Sequence, residues 1–319
     1  MGLRSWLLLF CVIIAALSAP LFLGTFWLTL LMQILIFGLL ALSVELLLGN
    51  IGMFSICQAA FFAVSAYTVA ILQVKYGQPT IVAVPAGFGA AVILSLIYGI
   101  AVRTKGVYFM LVTIALGHIL WGITWTWVSF TNGEGGITNV PAPAFGSLSI
   151  TSHSSYYYIV LAVVALCMLG YRTLIRSPFG LTLRGIRESE SRMRGLGYNI
   201  AAHKYAAFVI AGTLSGIAGL LYIYFNRLVS PASAEFFLSM EVALMVLVGG
   251  TGTIIGPFIG SAIMIGIRNY VSAYIDQWMI VMGVIFIITM LWTPDGILGL
   301  IRRLRGRTGP RTNTSEEGE

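Results

Sequence analysis

The chain has 319 residues, 58% of them hydrophobic and only 9% charged, with a formal net charge of +7. A soluble domain carries about a quarter charged residues because even a large core needs a wettable surface, so this composition excludes one and points to a polytopic membrane protein. The apolar runs are continuous rather than alternating, which excludes a β-barrel. The fold class is therefore all-α, a polytopic integral membrane helical bundle. The excess of basic residues suits contact with the anionic headgroups of the lipid bilayer. Its spread over loops between apolar runs argues against nucleic acid as a partner.

Taken in chain order, the first apolar run at 5–23 follows Arg4 and ends near Ala16-Leu17-Ser18-Ala19, in the manner of a signal peptide. Pro20 directly after that point and the apolar sequence beyond it favour a retained first span. A span needs about 20 apolar residues. Further spans are expected at 26–47, 53–73, 80–102, 107–128, 156–171 and 205–225. The run 234–270 is too long for one span and is interrupted by Gly249-Gly250-Thr251-Gly252, so it reads as two around a glycine break. A last span at 275–293 brings the expected total to ten. Cys11, Cys57 and Cys167 lie scattered in apolar runs and give neither a disulfide framework nor a metal spacing.

The loop at Arg103 and Lys105, the segment 172–204 and the tail Arg302 to Arg311 are basic, whereas 129–155 has no Lys or Arg. Basic loops face the cytoplasm. Ten spans with both termini inside place all three basic regions there and put 129–155 outside; Lys75, Arg227 and Arg268 run against the rule. Residues 1–300 then form a single transmembrane domain. Residues 301–319 are a basic, then acidic, tail expected to be disordered.

The segment 172–204 concentrates charge. Arg172, Arg176, Arg184, Arg187, Arg192, Arg194 and Lys204 stand with Glu188 and Glu190. Ser177-Pro178 is a helix start, with a Ser N-cap and Pro at the first helical position. Phe179, Leu183, Ile186 and Met193 then share a face at helical spacing. Arg184–Glu188, Glu188–Arg192 and Glu190–Arg194 are i,i+4 pairs, and Gly195 and Gly197 end the helix. Such an amphipathic helix either lies on lipid or enters a groove on a soluble partner.

Catalytic signatures are missing. No G-x-x-x-x-G-K-[ST] accompanies Lys75, Lys105 or Lys204, so the chain holds no nucleotide in a P-loop; H-E-x-x-H and G-x-S-x-G are absent too. His118, His153 and His203 are far apart and make a metal site unsuited. Gly212 and Gly216, with Ala211, Ser215, Ala218 and Gly219, let helix backbones approach closely. The Gly249–Gly256 break, followed by Pro257, is either a cytoplasmic turn or a broken helix beside a pathway. Gly49-Asn50-Ile51-Gly52 resembles it and hints at internal duplication. Glu45 and Glu241 sit near span ends and are expected at the interface or facing the bundle. His118, near mid-span, is either a neutral hydrogen-bonded residue or part of a pathway.

These residues together resemble the permease subunit of a bacterial high-affinity branched-chain amino acid ABC transporter of the two-permease type. The resemblance covers about 35–300. It runs through Leu48-Gly49-Asn50-Ile51-Gly52, Ser55, Ala59-Ala60-Phe61-Phe62 and Ala66-Tyr67-Thr68. It continues through Gly106-Val107-Tyr108-Phe109, Thr113 and Thr131-Asn132-Gly133-Glu134-Gly135-Gly136-Ile137. Its strongest block is Arg176-Ser177-Pro178-Phe179-Gly180, Arg184, Arg187-Glu188-Ser189-Glu190 and Leu196-Gly197; Ser230-Pro231 and Gly249 to Pro257 complete it. Cys57-Gln58 replaces a usual Gly-His, and His118 stands where Glu is common, which leaves the solute open.

The resemblance implies a second homologous permease, two cytoplasmic ATPase subunits and a periplasmic or exported solute-binding protein, in the bacterial inner membrane. It implies no cofactor on this chain, with ATP and magnesium held by the ATPases, and no enzymatic activity of its own. Arg184, Arg187, Glu188, Glu190, Leu196 and Gly197 would couple to the ATPase. Gln58, His118, Gly249, Gly250 and Gly252 are candidate pathway residues. The implied activity is import of leucine, isoleucine or valine by alternating access; urea, amides or other amino acids are alternatives, as is a self-sufficient secondary carrier.

Overall fold

The computed structural model describes residues 20, 24–145, 148, 149, 152–271, 283 and 284. The expected spans at 5–23 and 275–293 and the tail 301–319 lie outside the described residues. Helix α1, Thr25–Ile51, ends on Gly52 at φ 78 and leads into a non-helical stretch, 52–57. Helix α2, Gln58–Ala70, continues through a π turn to Lys75. Helix α3, Thr80–Tyr98, tightens into a 3₁₀ turn to Arg103, and α4 is Val107–Thr126. A loop with one two-residue antiparallel pairing, Ala144–Phe145 with Leu148–Ser149, precedes α5, His153–Arg176. Then come α6, Pro178–Glu188, α7, Glu190–Gly195, and α8, Ile200–Asn226. Helix α9, Phe236–Gly249, and α10, Gly256–Val271, close the series.

Six of these helical stretches are long and apolar enough to cross a membrane: Thr25–Ile51, Gln58–Lys75, Thr80–Arg103, Val107–Thr126, His153–Arg176 and Ile200–Asn226. They match the expected spans from 26–47 to 205–225, with one instructive shift. The span expected at 53–73 begins at Gln58, because 52–57 is unwound although it is almost as apolar as a helix. The glycine break is real, but α9 on its near side has 14 residues, about 21 Å of helix against a hydrocarbon core of about 30 Å. As a helix it is shorter than the full span expected there, and the non-helical stretch 227–235 leads into it.

Helices α1 and α8 form the centre. α8 packs on α1, α2 and α3, and α10 and α9 pack on α1. The small-residue face of α8 permits this. A side chain at Gly216 would strike Ala91 of α3, and one at Gly219 would strike the backbone carbonyl of Phe62 in α2. Ser65 Oγ donates to Gly216 O at 2.8 Å across the same contact. Such contacts replace the hydrophobic drive that lipid cannot supply.

The helices define two ends. The ends of α1, α3 and α5 and the start of α8 gather with α6 and α7 at a basic end. At the opposite end Lys75 Nζ donates to Ser129 O at 2.8 Å, and Ile137 pairs with Val229.

Candidate functional site

At the basic end the residues 172–204 make a helix–break–helix rather than one helix. Ser177 Oγ caps Gly180 N at 3.4 Å with Pro178 at the first helical position, as the sequence suggests. The helix stops at Ser189, which is extended (φ −163, ψ 106) and whose Oγ caps Arg192 N at 3.3 Å. Ser189 acts as a second N-cap because a short hydroxyl competes with the helix for backbone donors. The break separates Glu188 from Arg192. Among the described residues none of the three expected i,i+4 ion pairs forms. Gly195 ends α7, and Gly197 follows at φ 84.

The charges go elsewhere. Arg187 donates to the carbonyl of Gly49 in the last turn of α1, where unpaired carbonyls and the negative helix end favour a cation. Arg184 Nη2 donates to Ile175 O at 2.9 Å. Glu190 is ion-paired with the buried Lys204 of α8, and lies 4.0 Å from Lys105 after α3. One carboxylate thereby ties α7 to two spans.

The apolar face of α6 is spent inside the chain. Leu183 and Ile186 are buried against the ends of α1, α5 and α8. It neither lies on lipid nor remains free to enter a partner's groove, the two roles its pattern had left open. What faces outward is Arg184, Arg187, Glu188 and the strongly exposed Leu181 and Leu196.

The glycine break joins this end. Gly252 N donates to Glu45 Oε1 at 2.6 Å, and Glu45 is wholly buried, facing the bundle. A side chain at Gly49 would collide with that carboxylate. Asn50 Nδ2 donates to Tyr171 OH at 2.8 Å. Gly49, Asn50, Arg184, Arg187, Gly252 and Thr253 line a cavity of about 490 Å³. The two similar glycine stretches, 49–52 and 249–256, thus stand side by side. Glu241 instead meets Arg268 of α10 at 3.3 Å, which gives that charge a partner where the loop rule had none.

The candidate pathway residues fall into separate places. Gly249, Gly250 and Gly252 belong to the basic end, with Gly249 pressed against Gly256 and Gly260 and Gly250 at φ 101. His118 lies on the exposed side of α4, its Nδ1 3.1 Å from Ile114 O and its ring against Trp121 and Phe236. Gln58 is fully buried mid-bundle at the start of α2. Its neighbours form a polar level that the sequence did not single out. Ile56 N donates to Thr113 Oγ1 of α4 at 3.2 Å, Ser215 Oγ of α8 to Gln58 O at 2.6 Å, and Ala59 N to Ser239 Oγ of α9 at 3.1 Å. The Thr113 and Ser239 hydroxyls satisfy the N–H groups of Ile56 and Ala59, which the unwound 52–57 stretch leaves without helical partners, as buried backbone at membrane depth demands.

A family model described as "Branched-chain amino acid transport system / permease component" matches residues 26–290. The chain belongs to that family. The permease protein LivM of a high-affinity branched-chain amino acid transport system of Escherichia coli is 26% identical over 257 residues, 73% of this chain and 60% of its own length. The chain thus spans three fifths of that relative. A probable branched-chain amino acid transport permease protein LivH of Methanocaldococcus jannaschii is 27% identical over 60% of this chain and 64% of its own. A guanosine ABC transporter permease protein, NupQ of Bacillus subtilis, is 24% identical over 63% of this chain and 67% of its own. No solved structure matches the chain.

Proposed function

We propose that this chain is the membrane subunit of an ATP-driven importer of branched-chain amino acids, leucine, isoleucine or valine. The observation that carries the reading is the family match over residues 26–290, nearly the whole helical bundle. In this reading the protein is a multi-pass component of the bacterial inner membrane with ten spans and both termini cytoplasmic. It pairs with a second, homologous permease and receives solute from a binding protein at the end opposite the basic one. Two ATPase subunits hold ATP and magnesium and dock at the basic end; the chain itself hydrolyses nothing.

The basic end supports such docking physically. Arg187 and Glu190 anchor α6 and α7 to α1, α3 and α8, so a push on the outward Arg184, Glu188, Leu196 and Gly197 is passed to several spans at once. The adjoining Glu45–Gly252 contact would carry that push into the glycine break. Tilting of spans around the interior polar level would switch access from one side to the other.

The likeness to a guanosine permease favours a second reading, a nucleoside importer. The test is ATP-driven uptake by the reconstituted complex of this chain, its companion permease, the ATPases and the binding protein. Leucine, isoleucine and valine should accumulate, with urea and guanosine as comparators. Accumulation of guanosine alone would favour the second reading. Uptake by this chain without ATPases would make it a secondary carrier and overturn both.

A further inference from the structure

Helices α2 and α9 both begin inside the bundle and run in opposite directions. The start of α2 is level with the middle of its neighbours: Ile56 meets Thr113 of α4, and Gln58 meets Ser215 of α8. From there α2 runs to Lys75 beside Ser129 at the opposite end. The start of α9 is at the same level, since Ser239 bonds Ala59 and Phe236 touches His118. From there α9 runs to Gly249 and Gly252 at the basic end. Each is reached by a non-helical entry, 52–57 and 227–235, the second relieved by one 3₁₀ turn, Pro231–Ala234. Two helix N-termini therefore converge in the membrane interior, each with the partial positive charge that favours an anion; the N–H groups of Ala59 and Ala60 are already engaged, by Ser239 Oγ and Cys57 O, and Glu235 stands at the N-cap of α9.

A second observation points to a ligand there. Gln58, the first residue of α2, is fully buried, and both its Oε1 and its Nε2 lack any hydrogen-bond partner. A side chain in that position leans toward the helix N-terminus. The neighbouring hydroxyls are already engaged: Thr113 with Met110 O and Ile56 N, Ser215 with Gln58 O, Ser239 with Ala59 N, Ser55 with Cys57. A dry, unpaired amide is costly, and such a group calls for a missing partner.

We propose that Gln58, with the N-termini of α2 and α9, forms a transient binding point for the carboxylate of a zwitterionic amino acid in transit. The N-termini favour the carboxylate, Gln58 Nε2 donates to it, and Oε1 is left to accept from the α-ammonium. The arrangement holds the charge with dipoles rather than with a Lys or Arg, so the solute is bound yet released. A solute without an anionic group would gain nothing from the converging dipoles. The inference rests on the importer reading above and names where within this chain the solute is held.

The test uses the complete reconstituted complex with Gln58→Leu and Gln58→Glu. Gln58→Leu removes an unpaired buried amide, so the complex should assemble and unfold at or above the temperature of the unmodified one. ATP hydrolysis stimulated by the binding protein should persist, while leucine uptake per ATP falls about tenfold, the loss of one hydrogen bond to a charged group. Gln58→Glu places a tethered carboxylate at the dipoles and should abolish uptake in a folded complex. Wild-type uptake by either variant, or failure of Gln58→Leu to assemble, would overturn the proposal; the first would leave the amide to water, the second to structure. If the unmodified complex accumulates guanosine but no amino acid, the importer reading itself fails.

Discussion

Ala59 and Ser239 are 180 residues apart in sequence, and the backbone N–H of one donates to the hydroxyl of the other at 3.1 Å in the middle of the bundle. This single bond joins the first turns of two oppositely directed helices, α2 and α9. Ser239→Ala removes the acceptor and leaves a buried N–H unsatisfied, which should lower stability by about 1–2 kcal/mol. Ser239→Thr keeps the hydroxyl and should restore most of it. Thermal unfolding of the purified chain in detergent reads both.

Arg187 ties α6 to the last turn of α1 through Gly49. Arg187→Ala should leave the bundle assembled, because Leu183 and Ile186 still hold α6, but should uncouple ATP hydrolysis from uptake. Arg187→Lys keeps the charge at the negative helix end and should retain part of the coupling. Measuring solute moved per ATP hydrolysed decides; coupling unchanged in Arg187→Ala would remove this contact from the transmission path.

Glu190 sits between Lys204 and Lys105. Glu190→Lys gathers three cations, one of them buried, and should detach α7, with loss of ATPase binding and of uptake. Glu190→Gln keeps the shape and one acceptor and should be milder, costing about 1–2 kcal/mol after solvent screening of the half-buried carboxylate. Retained ATPase assembly and uptake in Glu190→Lys would mean that α7 does not couple.

Gly219 lies against the carbonyl of Phe62, where a neighbour cannot rotate aside. Gly219→Ala should force α8 and α2 apart at a cost of about 1–3 kcal/mol, visible as a lower unfolding temperature. Gly170, whose surroundings are open, should accept alanine without loss.

The spans were legible in the sequence because length and apolarity are local quantities. Ser177-Pro178 marked the start of α6 and Gly195 with Gly197 the end of α7, since capping is local chemistry too. The break at Ser189 was not legible: a second N-cap there competes with helix continuation, and the i,i+4 charges around it suggested one unbroken helix. The unwound 52–57 stretch was hidden because Met53, Phe54 and Ile56 are as apolar as any helix. Thr113 stood out only within the family resemblance and Ser215 only as a small packing residue, while Ser239 carried no signal, since hydroxyl residues in spans commonly bond their own helix, as Thr113 also does to Met110.

Sequence alone determined that this protein is a helical membrane bundle with one strongly charged segment, because the solvation of apolar and charged groups depends on residue type. Only the tertiary structure decided which way each side chain faces. A buried face and a lipid-facing one are equally apolar, so no periodicity separates them within a span. It was the packing of distant helices that buried the amphipathic face of α6, set Glu45 against Gly252, and brought the starts of α2 and α9 together around Gln58.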